Sequence, residues 1–314
     1  MNKYKKIGLT ALAGSLVATS AFAGALSVSG GAKLNVEHTN GGAADTGKTF
    51  SMGNSVTFSG SGELDNGMTV SLSFELDKGE GVAQANAPFD SHSLTVSSDS
   101  LGTIKFAGHG GSSAVSALDT TAAGDLWDNY DAEDGHEPTG VGTGDNIITY
   151  TLPSVMDDLT LAASYKPTGS ASDSATGFSA TYSGVEGLSV SYGNGDGSTV
   201  GGGTDGTAMK ASYAIGSLTV AASNYEYDTA GTSNDDDVSA YKVSYSVTDE
   251  LSVSYANETV ETGTTEAEYE EISAAYTSGG MTLTATSGTA DDRDGTTTAT
   301  MDNERWSLTA SFAF

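Results

Sequence analysis

The sequence predicts an all-β fold, a 16-stranded antiparallel transmembrane β-barrel, from three observations. Apolar and polar residues alternate with period two in sixteen segments between Leu26 and Phe314, as in strands whose two faces meet different surroundings. The connections alternate in length, which places tight hairpins at one end of an up-and-down meander and elaborated loops at the other. Aromatic residues keep to the apolar parity, often near strand ends, as in the girdles of a membrane barrel.

The chain opens "MNKYKKIGLTALAGSLVATSAFAG". Lys3, Lys5 and Lys6 precede an apolar stretch and a small-x-small end at Ala21-Phe22-Ala23, the pattern of a secretory signal peptide over residues 1–23. The stretch is shorter than the roughly 20 residues of a spanning helix. Its removal leaves one domain, 24–314, in which nine of the 12 basic residues face all 41 acidic ones, a formal charge of −32. That charge excludes nucleic acid as a partner. Cysteine is absent, which excludes disulfides and thiol chemistry.

In chain order, Leu26, Val28, Ala32, Leu34 and Val36 alternate with small and polar residues in the first strand. Phe50, Met52, Val56 and Phe58 define the second, "DNG" turns the chain, and Met68, Val70, Leu72, Phe74 and Leu76 define the third. His92, Leu94 and Val96 mark the fourth, Ile104 and Phe106 the fifth. Alternation then stops for about 36 residues, His109 to Asp145, and resumes with Ile148, Tyr150 and Leu152. Strands follow at 159–165, 178–182, 188–192, 209–215, 218–224, 241–247, 251–255, 272–276, 281–285 and 306–314. Tyr225 and Tyr227 break the rule by falling on the polar parity, which a bulge or a lumen-lining role would explain.

Parity decides what surrounds the meander. Sixteen strands enclose a space too wide for Ser, Thr and Gly to fill, whereas apolar residues facing lipid and polar ones facing water satisfy both faces. The chain ends in mid-strand on Phe312 and Phe314. In lipid an open edge leaves backbone groups unpaired at several kcal/mol each, so this last strand has to pair with the first.

Sixteen alternating strands, an acidic third long loop, the segment "DNIITYTLPSVMDDLTLAASY" and a terminal Phe together resemble the general diffusion porins of Gram-negative outer membranes, most of all the acidic alphaproteobacterial type. The resemblance spans the mature chain. It implies an outer-membrane location, a water-filled channel for small hydrophilic solutes and ions, and a homotrimer with lipid and lipopolysaccharide around it. It also implies that the last strand, with Trp306, Phe312 and Phe314, is the signal read by the outer-membrane assembly machinery.

By the same resemblance, loop 109–145 folds into the barrel and narrows the pore. An irregular segment at membrane depth is tolerated only in a water-filled cavity. Its acids are Asp119, Asp125, Asp128, Asp131, Glu133, Asp134, Glu137 and Asp145, with Trp127 and Tyr130 available as wall anchors. The lumen parity supplies Lys33, Lys105, Lys166, Lys210, Lys242 and Arg305, together with Glu37, Glu63, Glu75 and Asp77. The basic cluster that the resemblance implies is depleted here, which predicts a net negative, cation-preferring pore.

Acidic clusters at Asp235–Asp237, at Asp291, Asp292 and Asp294, and at Asp131, Glu133 and Asp134 offer oxygen ligands for Ca²⁺. None follows the EF-hand spacing, and solvated loops are the simpler expectation. No cofactor is expected. The four histidines fall in no metal-ligand or nucleophile motif, so an enzyme, including a barrel-embedded hydrolase, is not expected. The rival class is an exported acidic calcium-binding β-protein or adhesin outside the membrane. Solenoids of that kind repeat at a fixed short period, whereas the loops here vary widely.

Overall fold

In the computed structural model, which describes residues 26–41, 46–77, 89–130, 144–167, 174–197, 204–229, 235–293 and 302–314, sixteen strands close into one barrel. They are β1 (Ser27–Asn40), β2 (Thr46–Glu63), β3 (Thr69–Asp77), β4 (Ser91–Ser98), β5 (Gly102–His109), β6 (Ile147–Thr151), β7 (Leu159–Lys166) and β8 (Ala175–Val185). The second half is β9 (Leu188–Asp196), β10 (Thr204–Ile215), β11 (Leu218–Thr229), β12 (Asp236–Ser246), β13 (Leu251–Thr262), β14 (Thr265–Ser278), β15 (Met281–Asp291) and β16 (Asn303–Ala313). Each pairs antiparallel with its neighbours in the chain, and β1 pairs with β16. The signal-peptide residues 1–23 lie outside the described residues.

The terminal strand is pinned as an edge-free barrel requires. Register runs from Asn40 opposite Glu304 to Gly31 opposite Ala313. One step further, the Phe314 amide donates to the Gly30 carbonyl at 3.0 Å and receives the Gly30 amide on its own oxygen at 2.9 Å. The Phe314 ring rests against Gly30, where an added Cβ would meet it at 3.0 Å. On the lumen side of this seam Arg305 donates to Glu37 at 2.6 Å, Asn35 to the same carboxylate at 2.9 Å, and Thr309 to Asn35 at 2.8 Å.

The apolar parity faces outward. Phe50, Met52, Ile104, Val220, Ile272 and Phe312 are all exposed in the isolated barrel, a surface that only lipid or another protein covers at acceptable cost. Turn chemistry sets the trimmed end. Gly67 in "DNG" and Gly187 in "VEGL" sit at φ near +80°, and a Cβ on Gly187 would strike the Ala214 carbonyl.

The long-loop ends depart from expectation, because strands run further than the apolar pattern does. β13 continues past Tyr255 to Thr262, and β14 starts at Thr265 rather than near Ile272. There the outward side chains become polar. Tyr255 donates to Glu270 at 2.6 Å and Asn257 to Glu268 at 2.8 Å, so this wall stands clear of the apolar band. Strands β3 to β6 are shorter; Phe58 of β2 stacks on Phe74 of β3 at 5.2 Å, and Phe89 meets Phe74 in a tilted arrangement at 4.9 Å.

Candidate pore constriction

The loop between β5 and β6 turns into the barrel, and its described part, up to Tyr130, is fastened to one wall. At its stem Gly111 and Gly144 exchange two backbone hydrogen bonds of 2.8 Å, and His109 Nδ1 lies 2.6 Å from Asp145 Oδ1. The chain then passes along β7 to β15 by two short 3-10 helices, Ser116–Leu118 and Leu126–Tyr130. The Ala114 amide donates to Ser164 at 2.9 Å and the Ala122 amide to Ser223 at 2.8 Å. The Tyr225 hydroxyl lies 2.5 Å from both the Leu118 and Thr120 carbonyl oxygens, sharing its proton between them. Tyr225 is therefore lumen-facing, and β11 runs without a bulge.

Glu258 of β13 is the deepest of these anchors, with 0% exposure. One carboxylate oxygen accepts from the Thr121 hydroxyl at 2.5 Å, the other from the Trp127 amide at 3.0 Å. The Thr121 hydroxyl oxygen in turn accepts from the amides of Gly124 and Asp125, and Asp125 accepts from the Thr121 amide at 2.7 Å. At the far end Arg293 donates to the Tyr130 carbonyl at 2.7 Å, and the Tyr130 ring lies 5.7 Å from that of Tyr269. Gly288 leaves room for the Tyr130 hydroxyl, which an added Cβ would meet at 2.7 Å.

Between loop and wall lies an apolar core inside the lumen. Val115, Ala122, Ala123, Leu126, Trp127 and Tyr130 pack on Ala208, Tyr225, Val238, Ala240, Ala256, Val260, Ala267, Tyr269 and Ala290. The small wall residues let the loop backbone approach closely, and the burial keeps the loop from swinging into the channel. The described contacts of residues 113–130 thus fall on the β7 to β15 side of the lumen, across from β16 through β5.

This geometry is that of a channel with an internal constriction, and the comparisons agree. The profile of the Gram-negative porin family matches residues 8–296. The chain belongs to that family. No curated protein sequence matches at a significant level. Among solved structures, the anion-selective porin from Comamonas acidovorans aligns with TM-score 0.67 at 16% identity, over 92% of this chain and 99% of its own. A loop-deletion variant of OmpT, an outer-membrane protein of Vibrio cholerae, gives 0.69 at 16% over 93% and 99%. OmpF of Salmonella typhi, in complex with daunomycin, gives 0.68 at 14% over 93% and 98%. The protein is thus an outer-membrane porin, a 16-stranded channel, and the rival class outside the membrane is not favoured.

The porin's site residues divide by what they touch. Asp128 is exposed, and Asp119 is half-buried. Asp125 is turned into the loop's own hydrogen bonds; burial pushes its carboxyl above the usual range, against the lowering effect of the Thr121 amide and hydroxyl and of nearby Lys210. Asp131, Glu133, Asp134 and Glu137 lie outside the described residues. Lys210 donates to the Thr120 carbonyl at 2.7 Å and Lys242 to that of Ala123 at 3.5 Å, so both serve as loop anchors behind the constriction. Arg305 is spent on Glu37. Lys33, Glu75 and Lys105 stand on the opposite wall on the lumen parity, with Lys166 by the loop stem and Glu63 at the trimmed end. Trp306, Phe312 and Phe314 all face outward and are exposed. Among the described residues no group of three acids or histidines converges as cation ligands; Asp131, Glu133, Asp134 and Asp294 of the expected clusters fall outside them.

Glu258, Ser164, Ser223, Tyr269 and Arg293 escaped the sequence reading. The available signal was the lumen parity at the long-loop ends of β10 to β15, which carries Ala208, Tyr225, Val238, Ala240, Val260, Ala267 and Ala290 where a water-facing wall should be polar.

Proposed function

We propose that this porin is a cation-preferring diffusion channel for small hydrophilic solutes, assembled as a homotrimer. One observation carries the selectivity: the loop takes Lys210 and Lys242 out of the open lumen, and Glu37 neutralises Arg305. The remaining described lumen bases, Lys33, Lys105 and Lys166, then face Glu63, Glu75, Asp77, Asp119 and Asp128. A lumen with that balance concentrates cations and repels anions. The Comamonas relative is named anion-selective at the same fold, so selectivity rests on lining charges and not on the barrel. Reversal potentials across a KCl gradient in planar bilayers test the reading, and an anion-selective channel would overturn it.

The trimer is supported by the outer surface of β16, β1 and β2. Ala310, Ala32, Gly60 and Gly62 share the outward parity there, and such small residues let barrels approach closely. In that trimer the loop Lys78–Asp90, as the family resemblance implies, reaches the neighbouring barrel; of this loop only Phe89 and Asp90 are among the described residues. Cross-linking in mild detergent should give a three-chain product; monomer alone would refute the assembly.

A further inference from the structure

Gly53 has no structural reason to be glycine. It lies inside β2 on the lumen parity, its φ is not positive, and an added Cβ would meet nothing nearer than Lys33 Cβ at 3.9 Å. A strand-interior glycine costs about 0.5–1 kcal/mol relative to alanine. Gly53 lies in a shallow, widely open recess of about 260 Å³ on the β16–β1–β2–β3 wall, lined on the lumen parity by Gly31, Lys33, Gly53, Ser55, Asp77 and Ser311, and also by Ala32, Asn54 and Phe312.

The recess has one charge of each sign at its rim. Lys33 is opposite Gly53, and Asp77 is opposite Ser55. They are two strands apart and offset by two residues, so their Cα atoms lie about 12 Å apart from standard strand spacing. Among the described residues Asp77 has no hydrogen-bond or ion-pair partner, and Lys33 has only electrostatic reach to Glu37, which Arg305 already holds. A flexible lysine and a shorter aspartate bracket a gap that suits a solute with an ammonium at one end and a carboxylate a few bonds away.

We infer that this recess is a weak subsite for small zwitterionic solutes of short-peptide size, ammonium toward Asp77 and carboxylate toward Lys33. The inference rests on the channel reading above. Weakness is functional, since a permeant solute must leave as readily as it enters.

The test is ion-current block by diglycine in planar bilayers, with the neutral N-acetylglycinamide as a size-matched control. Diglycine should raise open-channel noise or reduce current at concentrations where the control does not. Lys33→Gln and Asp77→Asn should each weaken that block about two- to fivefold, the worth of one solvent-exposed charge contact. Gly53→Thr, which fills the recess and leaves both charges, should abolish it; if that variant fails to assemble, the two charge variants decide. Equal block by the neutral control, or block unchanged in Lys33→Gln and Asp77→Asn, would overturn the subsite. KCl conductance measured on the same channels keeps the readings apart, because its absence sinks the pore, whereas conductance without zwitterion block sinks the subsite alone.

Discussion

Single side chains on the constriction loop divide by the direction they face, and each direction predicts a different phenotype. Asp128 is exposed in the described part of the loop, so Asp128→Asn should lower the cation preference in reversal-potential measurements. Asp125→Asn should change it far less, because that carboxylate is bound to the Thr121 amide and asparagine keeps an oxygen to accept the bond. The pH response of Asp125 has a definite sign. A carboxyl raised by burial in the docked loop binds its proton more readily than the free group does, so docking is favoured below the ordinary pKa near 4 and loses that increment as pH rises through the raised value. Mild acid acting on Asp125 therefore tightens the loop. Glu258 is the opposite case, since removing it strands the Thr121 hydroxyl and the Trp127 amide in a buried site. Glu258→Ala should weaken docking by about 2–4 kcal/mol, read as larger or noisier single-channel conductance, and Glu258→Gln should do less because one acceptor survives. Identical quiet traces from both variants would show that the apolar core alone holds the loop.

At the scale of elements, the last strand closes the barrel. Phe314 closes two hydrogen bonds with Gly30 and lays its ring on that glycine. Phe314→Ser should leave export across the inner membrane intact and reduce the folded protein recovered in outer-membrane fractions; normal levels of heat-modifiable barrel would refute this. The strand was legible in the sequence because Leu308, Ala310, Phe312 and Phe314 hold one parity to the end, and all sixteen strands could be counted on the same ground. What escaped was the top of β10 to β15. There the outward face turns polar above the lipid, as at Asn257 and Glu268, and the inward face turns apolar beneath the loop, as at Val238 and Ala267. Alternation inverts in meaning along a single strand, so a reading that assigns one face to lipid throughout stops short. The parity break at Tyr225 and Tyr227 was the visible trace of that inversion. Glu258 left no trace, because a lone glutamate on the water-facing parity looks like any other lumen acid until the loop's position is known.

For the whole molecule, net charge and pore width act against each other. The chain carries 41 acidic residues, yet sixteen strands enclose a wide aqueous lumen, and charges act across water only as far as the ionic atmosphere permits. That reach is about 10 Å at 0.1 M salt and about 3 Å at 1 M. A preference generated by acids spread along the lumen wall should therefore fall steeply between KCl gradients centred on those two concentrations. One generated at a narrow, close-contact site should persist, because an ion there touches its ligands within the screening length. The described part of the loop, up to Tyr130, is fastened to one side of the lumen, an arrangement that places ions passing it in water beside the charges rather than among them. The expected result is a cation-to-anion permeability ratio that is modest at 0.1 M and approaches unity at 1 M, with Asp128→Asn lowering it only at the lower salt. A ratio independent of salt would instead locate selectivity at a narrow, close-contact site and refute the wall-charge account.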